Sequence, residues 1–442
     1  MAEKFDLVVV GAGPGGYVAA IRGAQLGFKT ACIERERPGG ICLNWGCIPT
    51  KALLKSADMM RSAQHAADLG VVINGPITFD WSKVIGRSRA VADKQASGID
   101  WLFKKYGVTH LPGTARLTGR GKLEVEQKSG KMTLETPRTI LATGARAKFL
   151  PGIEPDGDRV ITYREAMILP EVPKSVVVIG AGAIGIEFAD FWNAFGVEVT
   201  VIEFLPRILP IEDEEISASL TRALKKKGIK ILTGTKTTGV KVSGKTVTTS
   251  YVAAEGGGKE ETITSERVLL AVGVRANVEG IGLEGMGVAL ERGFVQVDDQ
   301  YRTTSPGIWA IGDCAGPPAL AHVASAEAIR TVEAMAGKHV EPINYDAIPG
   351  CTYCDPEVAS IGKTEAQARE AGLDIAVGKF PFNVNGKAVG SGHTDGFIKV
   401  ITNKERGQIV GVHCIGYGVT DLIAEMSLAI TSEATAHDVL AS

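Results

Sequence analysis

The sequence predicts an α/β chain with two Rossmann-like dinucleotide-binding units and a separate C-terminal α+β domain, and three observations carry this. First, an apolar strand runs into a glycine turn at Leu7-Val8-Val9-Val10-Gly11-Ala12-Gly13-Pro14-Gly15-Gly16. Second, the same pattern recurs at Ser175-Val176-Val177-Val178-Ile179-Gly180-Ala181-Gly182-Ala183-Ile184-Gly185. Third, from about Tyr345 the pattern changes to short strands (residues 358–361, 397–401 and 409–415) mixed with helices starting near Glu365 and Thr420.

A continuous Val/Ile run has no polar face, so it reads as a buried parallel strand. After the first turn a helix opens at Tyr17-Val18-Ala19-Ala20-Ile21, and a second strand, Thr30-Ala31-Cys32-Ile33-Glu34, ends in an acid. The second copy has a helix through Phe188 and the strand Glu198-Val199-Thr200-Val201-Ile202-Glu203. In both, the acid stands 18 residues after the last motif glycine, Gly16 to Glu34 and Gly185 to Glu203. Glycines let the backbone approach a pyrophosphate at the helix N-terminus, and the acid accepts from a ribose hydroxyl. A lone glycine turn can serve packing, but two complete βαβ units imply two dinucleotide sites. Phe204 and Leu205 follow Glu203, and no base appears before Arg207. An acid in that setting accepts a free 2′-hydroxyl and repels a 2′-phosphate, which favours NAD over NADP.

Between the units lie helical stretches at residues 51–66 and 82–106 and a β-rich segment at residues 122–134. Pro170 and Pro173 predict a linker before the second unit. Strand signals recur at residues 229–232, 247–252 and 267–271, with a hairpin loop at Glu255-Gly256-Gly257-Gly258-Lys259.

The bulk numbers agree. The 442 residues are 45% hydrophobic and 22% charged, ordinary for a globular chain of several domains. A net charge of −2 gives no sign of a nucleic-acid or membrane-surface partner. No apolar run reaches the length of a membrane span. The first strand follows Met1-Ala2-Glu3-Lys4-Phe5 at once, leaving no room for a cleavable signal. The expectation is a cytosolic chain or a processed organellar one.

Seven cysteines in a long chain are not a disulfide framework. Two of them stand in Gly39-Gly40-Ile41-Cys42-Leu43-Asn44-Trp45-Gly46-Cys47-Ile48-Pro49-Thr50-Lys51, just after Glu34. Thiols separated by four residues can close a small ring if the backbone curls, and Gly46 and Pro49 are compatible with such a bend. A redox pair is the favoured reading beside a dinucleotide. A structural disulfide, half a zinc site or two buried thiols are the alternatives, although no second Cys/His pair is spaced to complete a zinc site. Cys351-Thr352-Tyr353-Cys354 spells CxxC, but residues three apart on a strand point to opposite faces. These two, with Cys32, Cys314 and Cys414, read as packing residues, and no metal site is expected.

On these motifs the chain resembles the pyridine nucleotide–disulfide oxidoreductases over nearly its whole length, and within them most closely the dihydrolipoamide dehydrogenases, the E3 enzymes of 2-oxo acid dehydrogenase complexes. Leu141-Ala142-Thr143-Gly144-Ala145, Ala271-Val272-Gly273-Val274-Arg275-Ala276-Asn277 and Thr304-Ser305-Pro306-Gly307-Ile308-Trp309-Ala310-Ile311-Gly312-Asp313 match further family segments, and Leu320-Ala321-His322 follows as in the family. The resemblance implies FAD at the first unit and NAD at the second. It divides the chain into an FAD domain in two parts (residues 1–149 and 274–344), an inserted NAD domain (150–273) and an interface domain (345–442) that pairs two copies as a homodimer. It makes Cys42 the interchange thiol, Cys47 the charge-transfer thiol, and Lys51, paired with Glu187, a charge near the flavin's reactive nitrogen. It places cofactor contacts at the motif residues Gly11, Gly13, Pro14, Gly15, Gly16, Glu34, Gly180, Gly182, Gly185 and Glu203. Further contacts are implied at Lys51, Gly113, Ala115, Thr143, Gly144, Thr237, Gly273, Asp313, Ala321 and His322, with Asp313 on the ribityl chain.

The implied activity is oxidation of protein-bound dihydrolipoamide to lipoamide with reduction of NAD⁺, with lipoyl domains and an E2 subunit as partners. Alternatives are another NAD(P)H-dependent disulfide or mercuric reductase of the family, or an assembly-type flavoprotein subunit with diaphorase activity. Glutathione-type members carry basic residues after the second unit, and mercuric reductases add a C-terminal cysteine pair; neither appears here. The family's acid–base histidine lies in a C-terminal His-Pro segment. The sequence ends at Ala434-Thr435-Ala436-His437-Asp438-Val439-Leu440-Ala441-Ser442, where that segment is expected to begin, so the expectation is that the general base is lacking and that His437 is a surface residue.

Overall fold

The computed structural model describes residues 2–256 and 258–441. Contacts divide the chain into two units.

The first unit comprises the chain up to Pro49, Gly86–Ala147 and Val274–Ile343. Its main sheet is fully parallel, in the order Ile308–Ala310, Thr139–Leu141, Leu7–Val10, Thr30–Glu34, Thr109–Pro112. Leu7, Val8 and Val9 are completely buried, as a strand covered on both faces must be. The helix Pro14–Gln25 packs on the helix Ala321–Met335, tied by the Arg22–Glu333 ion pair. A second sheet, in the order Glu3–Lys4, Gly130–Glu135, Lys122–Gln127, Thr114–Gly119, contributes Leu123, Val125 and Leu134 to a core shared with Val10 and Ile33.

The second unit comprises Thr50–Ile85, Lys148–Gly273 and the chain from Asn344. It holds a parallel sheet in the order Val160–Ile161, Arg267–Leu270, Ser175–Ile179, Glu198–Ile202, Lys230–Leu232. Beside it lies an antiparallel meander of Thr235–Ser243, Thr246–Ala253 and Glu261–Ser265. The expected hairpin loop at residues 255–259 joins the last two strands, although Gly257 itself lies outside the described residues. The C-terminal part is an antiparallel sheet in the order Gly350–Thr352, Glu357–Gly362, Ile409–Gly416, Phe397–Asn403, Ile375–Pro381, covered by the helix Val419–Thr431.

The expected linker at Pro170 and Pro173 is corrected by this topology. The strand Val160–Ile161 already pairs with Val268 and Leu269, so the chain has joined the second parallel sheet before either proline. Trp81 also donates to the Leu169 carbonyl (2.8 Å), anchoring the proline segment within the unit.

Two buried charges in this unit, Lys399 and Asp190, are paired. Lys399, 2% exposed, contacts Asp213 (3.0 Å), Glu215 (3.1 Å) and Glu365 (2.8 Å). Asp190, completely buried, accepts from Arg61 (2.6 Å) and Lys227 (3.3 Å) through Oδ1 and from the Asp355 N–H (3.1 Å) through Oδ2. These bonds tie the helix Cys47–Gln64, the helix Ala183–Ala194 and the C-terminal sheet to one another. Among the described residues no helix is long and apolar enough to cross a membrane.

Candidate active site

The two glycine turns are built alike. Gly11 has φ +100° and Gly180 φ +103°, and a Cβ on either would run into the backbone of the neighbouring strand end, Ala142 or Ala271. A Cβ on Gly16 or Gly185 would overlap the carbonyl of Gly11 or Gly180, because the helix crosses its own turn there. Packing alone therefore demands these four glycines. It does not demand the middle ones: a Cβ on Gly13 would meet only the Gly40 Cα at 3.8 Å, and on Gly182 nothing within 4 Å. Gly13 and Gly182 are the N-caps of the 12-residue helices Pro14–Gln25 and Ala183–Ala194, and neither helix has a side-chain cap. Open space before an uncapped helix N-terminus fits a pyrophosphate. Gly15 instead packs on the second helix, its Cβ position 3.3 Å from the Ala324 carbonyl oxygen.

The two acids are held identically. Glu34 accepts from the Ala12 N–H (2.8 Å) and the Glu36 N–H (2.9 Å); Glu203 accepts from the Ala181 N–H (2.7 Å) and the Leu205 N–H (2.8 Å). Each carboxylate thus closes its own glycine turn and keeps lone pairs for a further donor. Glu203 is 8% exposed, hence not a solvated strand end. Arg207, the next cation, donates to the Pro210 carbonyl (3.2 Å), in agreement with a site for an unphosphorylated ribose.

The cysteine segment is laid against the first turn. The Gly39 N–H donates to the Ala12 carbonyl (2.7 Å), and Gly40 sits so close to Gly13 that a Cβ would fall 2.6 Å from its Cα. Cys42 lies in the short helix Gly40–Asn44, and Cys47 opens the helix Cys47–Gln64. Gly46 folds the chain back on the short helix: its Cβ position is 3.1 Å from Ile41 Cγ2 and 3.6 Å from the Cys42 Cα. Both cysteines are half-buried. The Tyr17 phenol is pushed up first by burial and then by the Cys42 and Cys47 sulfurs, so one side chain senses both.

Lys51 and Glu187, expected as a direct pair, are joined in the second unit through Tyr353. The Tyr353 N–H donates to Glu187 Oε1 (2.8 Å), and the Lys51 ammonium lies 3.6 Å from the centroid of the Tyr353 ring. Burial raises the Glu187 carboxyl above its ordinary range; the Tyr353 N–H and the Lys51 charge oppose this. The aromatic ring takes the cation as an electrostatic partner.

The other expected residues are placed as follows. Thr143 donates to the Asn277 carbonyl (2.7 Å), and Asn277 donates back to the Thr143 carbonyl (2.9 Å) and, through its own N–H, to Gly144 (2.9 Å). Asp313 sits in the turn Gly312–Cys314, its carboxyl pushed up by burial. The buried Glu327, which sequence patterns did not single out, receives the Gly312 N–H (2.6 Å) and holds that turn. Ala321 and His322 open the helix Ala321–Met335, which has no side-chain cap. Gly113 donates to the Glu34 carbonyl (2.8 Å), while the Ala115 side chain is packed in the core. Thr237 lies at a register shift, with its hydroxyl buried and lacking a hydrogen-bond partner, as expected where a ligand completes the site. Gly273, φ +99°, accepts from the Lys148 N–H (3.0 Å). Cys32, Cys314, Cys354 and Cys414 are buried, and Cys351 is half-buried with its thiol pushed up to about 11 by burial. His437 is exposed, as expected.

Comparison with known proteins agrees with this geometry. Residues 5–328 match the pyridine nucleotide-disulphide oxidoreductase family, and residues 348–442 match the dimerisation domain of that family. The dihydrolipoyl dehydrogenase of Rhizobium etli is 46% identical over all of this chain and 94% of its own length. That of Zymomonas mobilis is 47% identical with the same coverage. Among solved structures, LpdA from Mycobacterium tuberculosis superposes with a TM-score of 0.91 at 25% identity, covering 100% of this chain and 96% of its own. The chain belongs to the pyridine nucleotide-disulphide oxidoreductase family.

Proposed function

We propose that this protein is a dihydrolipoyl dehydrogenase, oxidising a protein-bound dihydrolipoyl dithiol and reducing NAD⁺, and that Cys42 and Cys47 are its redox pair. The observation that carries the reading is the seating of the cysteine segment on the first glycine turn by the Gly39–Ala12 bond, which supports a dithiol working next to the cofactor proposed for that turn. FAD at the first turn supplies a two-electron relay to NAD⁺ at the second. A substrate thiolate attacks the Cys42 sulfur of the Cys42–Cys47 disulfide; one S–S bond forms to substrate and the internal one breaks, leaving Cys47 as a thiolate. The second substrate thiol then displaces Cys42, gives up its proton, and leaves as the cyclic disulfide. Cys47 begins an 18-residue helix, whose N-terminal partial charge favours an anionic sulfur. Tyr353 holds Lys51 and Glu187 in fixed places, so their charges do not have to reorganise during the reaction.

The finer assignments belong to the same reading: the four-segment domain division, each cofactor contact named above, pairing of two copies through residues 345–442, docking to lipoyl domains and an E2 subunit, and a cytoplasmic location. The test is NADH formation from dihydrolipoamide and NAD⁺. Cys42→Ser and Cys47→Ser should each abolish it while leaving NADH–ferricyanide reductase activity. Lipoamide turnover surviving either substitution overturns the reading.

A further inference from the structure

The two helices that carry the redox cysteines are gripped from one place. Ser88 and Arg89 are consecutive residues of the long helix Trp81–Tyr106. Successive side chains point about 100° apart around a helix, so neighbours can reach two different partners. The Ser88 hydroxyl, fully buried, donates to the Pro49 carbonyl (3.0 Å), in the first turn of the helix opened by Cys47. Arg89 Nη1 donates to the Asn44 carbonyl (2.7 Å), at the end of the short helix that carries Cys42. The Arg89 guanidinium also lies 5.1 Å from the centroid of Trp45, between the two cysteines in sequence. Asn44 is itself fixed, donating to the carbonyls of Pro38 and Gly40 (both 3.0 Å).

A disulfide needs its two Cα atoms about 4.4–6.8 Å apart. In the reduced state no S–S bond enforces that spacing, so the scaffold must. We propose that Ser88 and Arg89 are positioning residues for the redox pair: by holding the Cys42 and Cys47 helices at a fixed approach, they set the equilibrium between dithiol and disulfide. The couple is Cys42–S–S–Cys47 plus two electrons and two protons giving two thiols. Loosening the grip lowers the effective concentration of one thiol at the other and favours the dithiol. The inference rests on Cys42 and Cys47 being the redox pair.

The test uses the flavin-loaded protein equilibrated anaerobically with reduced and oxidised dithiothreitol in varied ratio, acid-quenched, alkylated and read by peptide mass. Ser88→Ala and Arg89→Lys should each move the equilibrium constant at least about tenfold toward the dithiol, about 30 mV. Ser88→Thr, which keeps the hydroxyl, should match the unsubstituted protein. If one variant loses its flavin or its fold, the other carries the test. Constants within about twofold of the unsubstituted protein overturn the proposal. So does a shift in Arg89→Met with Ser88→Ala and Arg89→Lys unmoved, since the effect is then one of charge. Failure of the underlying redox reading looks different: the unsubstituted protein would show no change in alkylation at Cys42 and Cys47 between oxidising and reducing buffer.

Discussion

Glu212 makes a quantitative prediction. It is 6% exposed and shares a hydrogen bond with Ser360, yet its Oε2 is buried without a hydrogen-bond partner. Burial first, and then the charge of Asp213, push its carboxyl up to about 6, against the Ser360 bond; the ordinary value is 4.5. A carboxyl whose folded pKa is raised binds its proton more tightly when folded. Its contribution to stability is therefore fully present below about 4.5 and lost as the pH rises through about 6. At about 1.4 kcal/mol per pKa unit the loss is about 2 kcal/mol. Glu212→Gln cannot titrate, so it escapes this loss whatever its absolute stability. The gap in unfolding free energy between Glu212→Gln and the unsubstituted protein should move by about 2 kcal/mol in favour of the variant between acid and neutral pH. Urea unfolding at matched protein concentration across that range measures it. A gap that does not change with pH, or one that moves the other way, refutes the reasoning.

Three further outcomes follow from the geometry. Gly185→Ala should disrupt the second turn, because the new methyl overlaps the Gly180 carbonyl, whereas Gly182→Ala meets open space and should fold normally yet bind NADH at least about tenfold more weakly, as calorimetry would show; equal binding by Gly182→Ala would deny the pyrophosphate site. Lys399→Met leaves Asp213 buried without its cation and should cost about 3–5 kcal/mol in chemical unfolding; a change within about 0.5 kcal/mol would mean that the cluster is relaxed. Tyr353→Leu removes the ring beneath Lys51, worth about 0.5–2 kcal/mol, and should slow turnover about two- to thirtyfold, whereas Tyr353→Phe keeps the ring and should stay near normal; equal effects of the two would place the role on the hydroxyl.

One central strand of each parallel sheet, Leu7–Val10 and Ser175–Ile179, was legible because it is an unbroken apolar run that stops at glycine, a pattern short enough to read locally. The strands Thr235–Ser243 and Ile375–Pro381 were not. The first is mostly Thr and Lys, and the second is an edge strand with only Ile375 buried, whose apolar residues fall on both faces and so give no period-two alternation. At the site, residue types were legible and mediators were not. Cys42, Cys47, Lys51 and Glu187 stand in or beside motifs, but Tyr353 is 166 residues from the Glu187 it bonds, and Arg61 is 129 from Asp190. Ser88 and Arg89 sit in an amphipathic helix with no spacing to distinguish them, and Glu327 shows only as one acid among others on its helix. Such contacts are set by tertiary packing, which a one-dimensional pattern does not encode. The linker expected at Pro170 failed for a related reason: the two-residue strand at Val160 is too short to announce itself.

The central claim is that Cys42 and Cys47 exchange electron pairs with the first dinucleotide. Anaerobic titration of the purified flavoprotein with dihydrolipoamide and then dithionite tests it most directly. The unsubstituted protein should accept two electron pairs per flavin, the first with a long-wavelength charge-transfer absorbance, and Cys47→Ser should accept one pair without that band. A single pair in the unsubstituted protein, or an unaltered band in Cys47→Ser, would contradict the account.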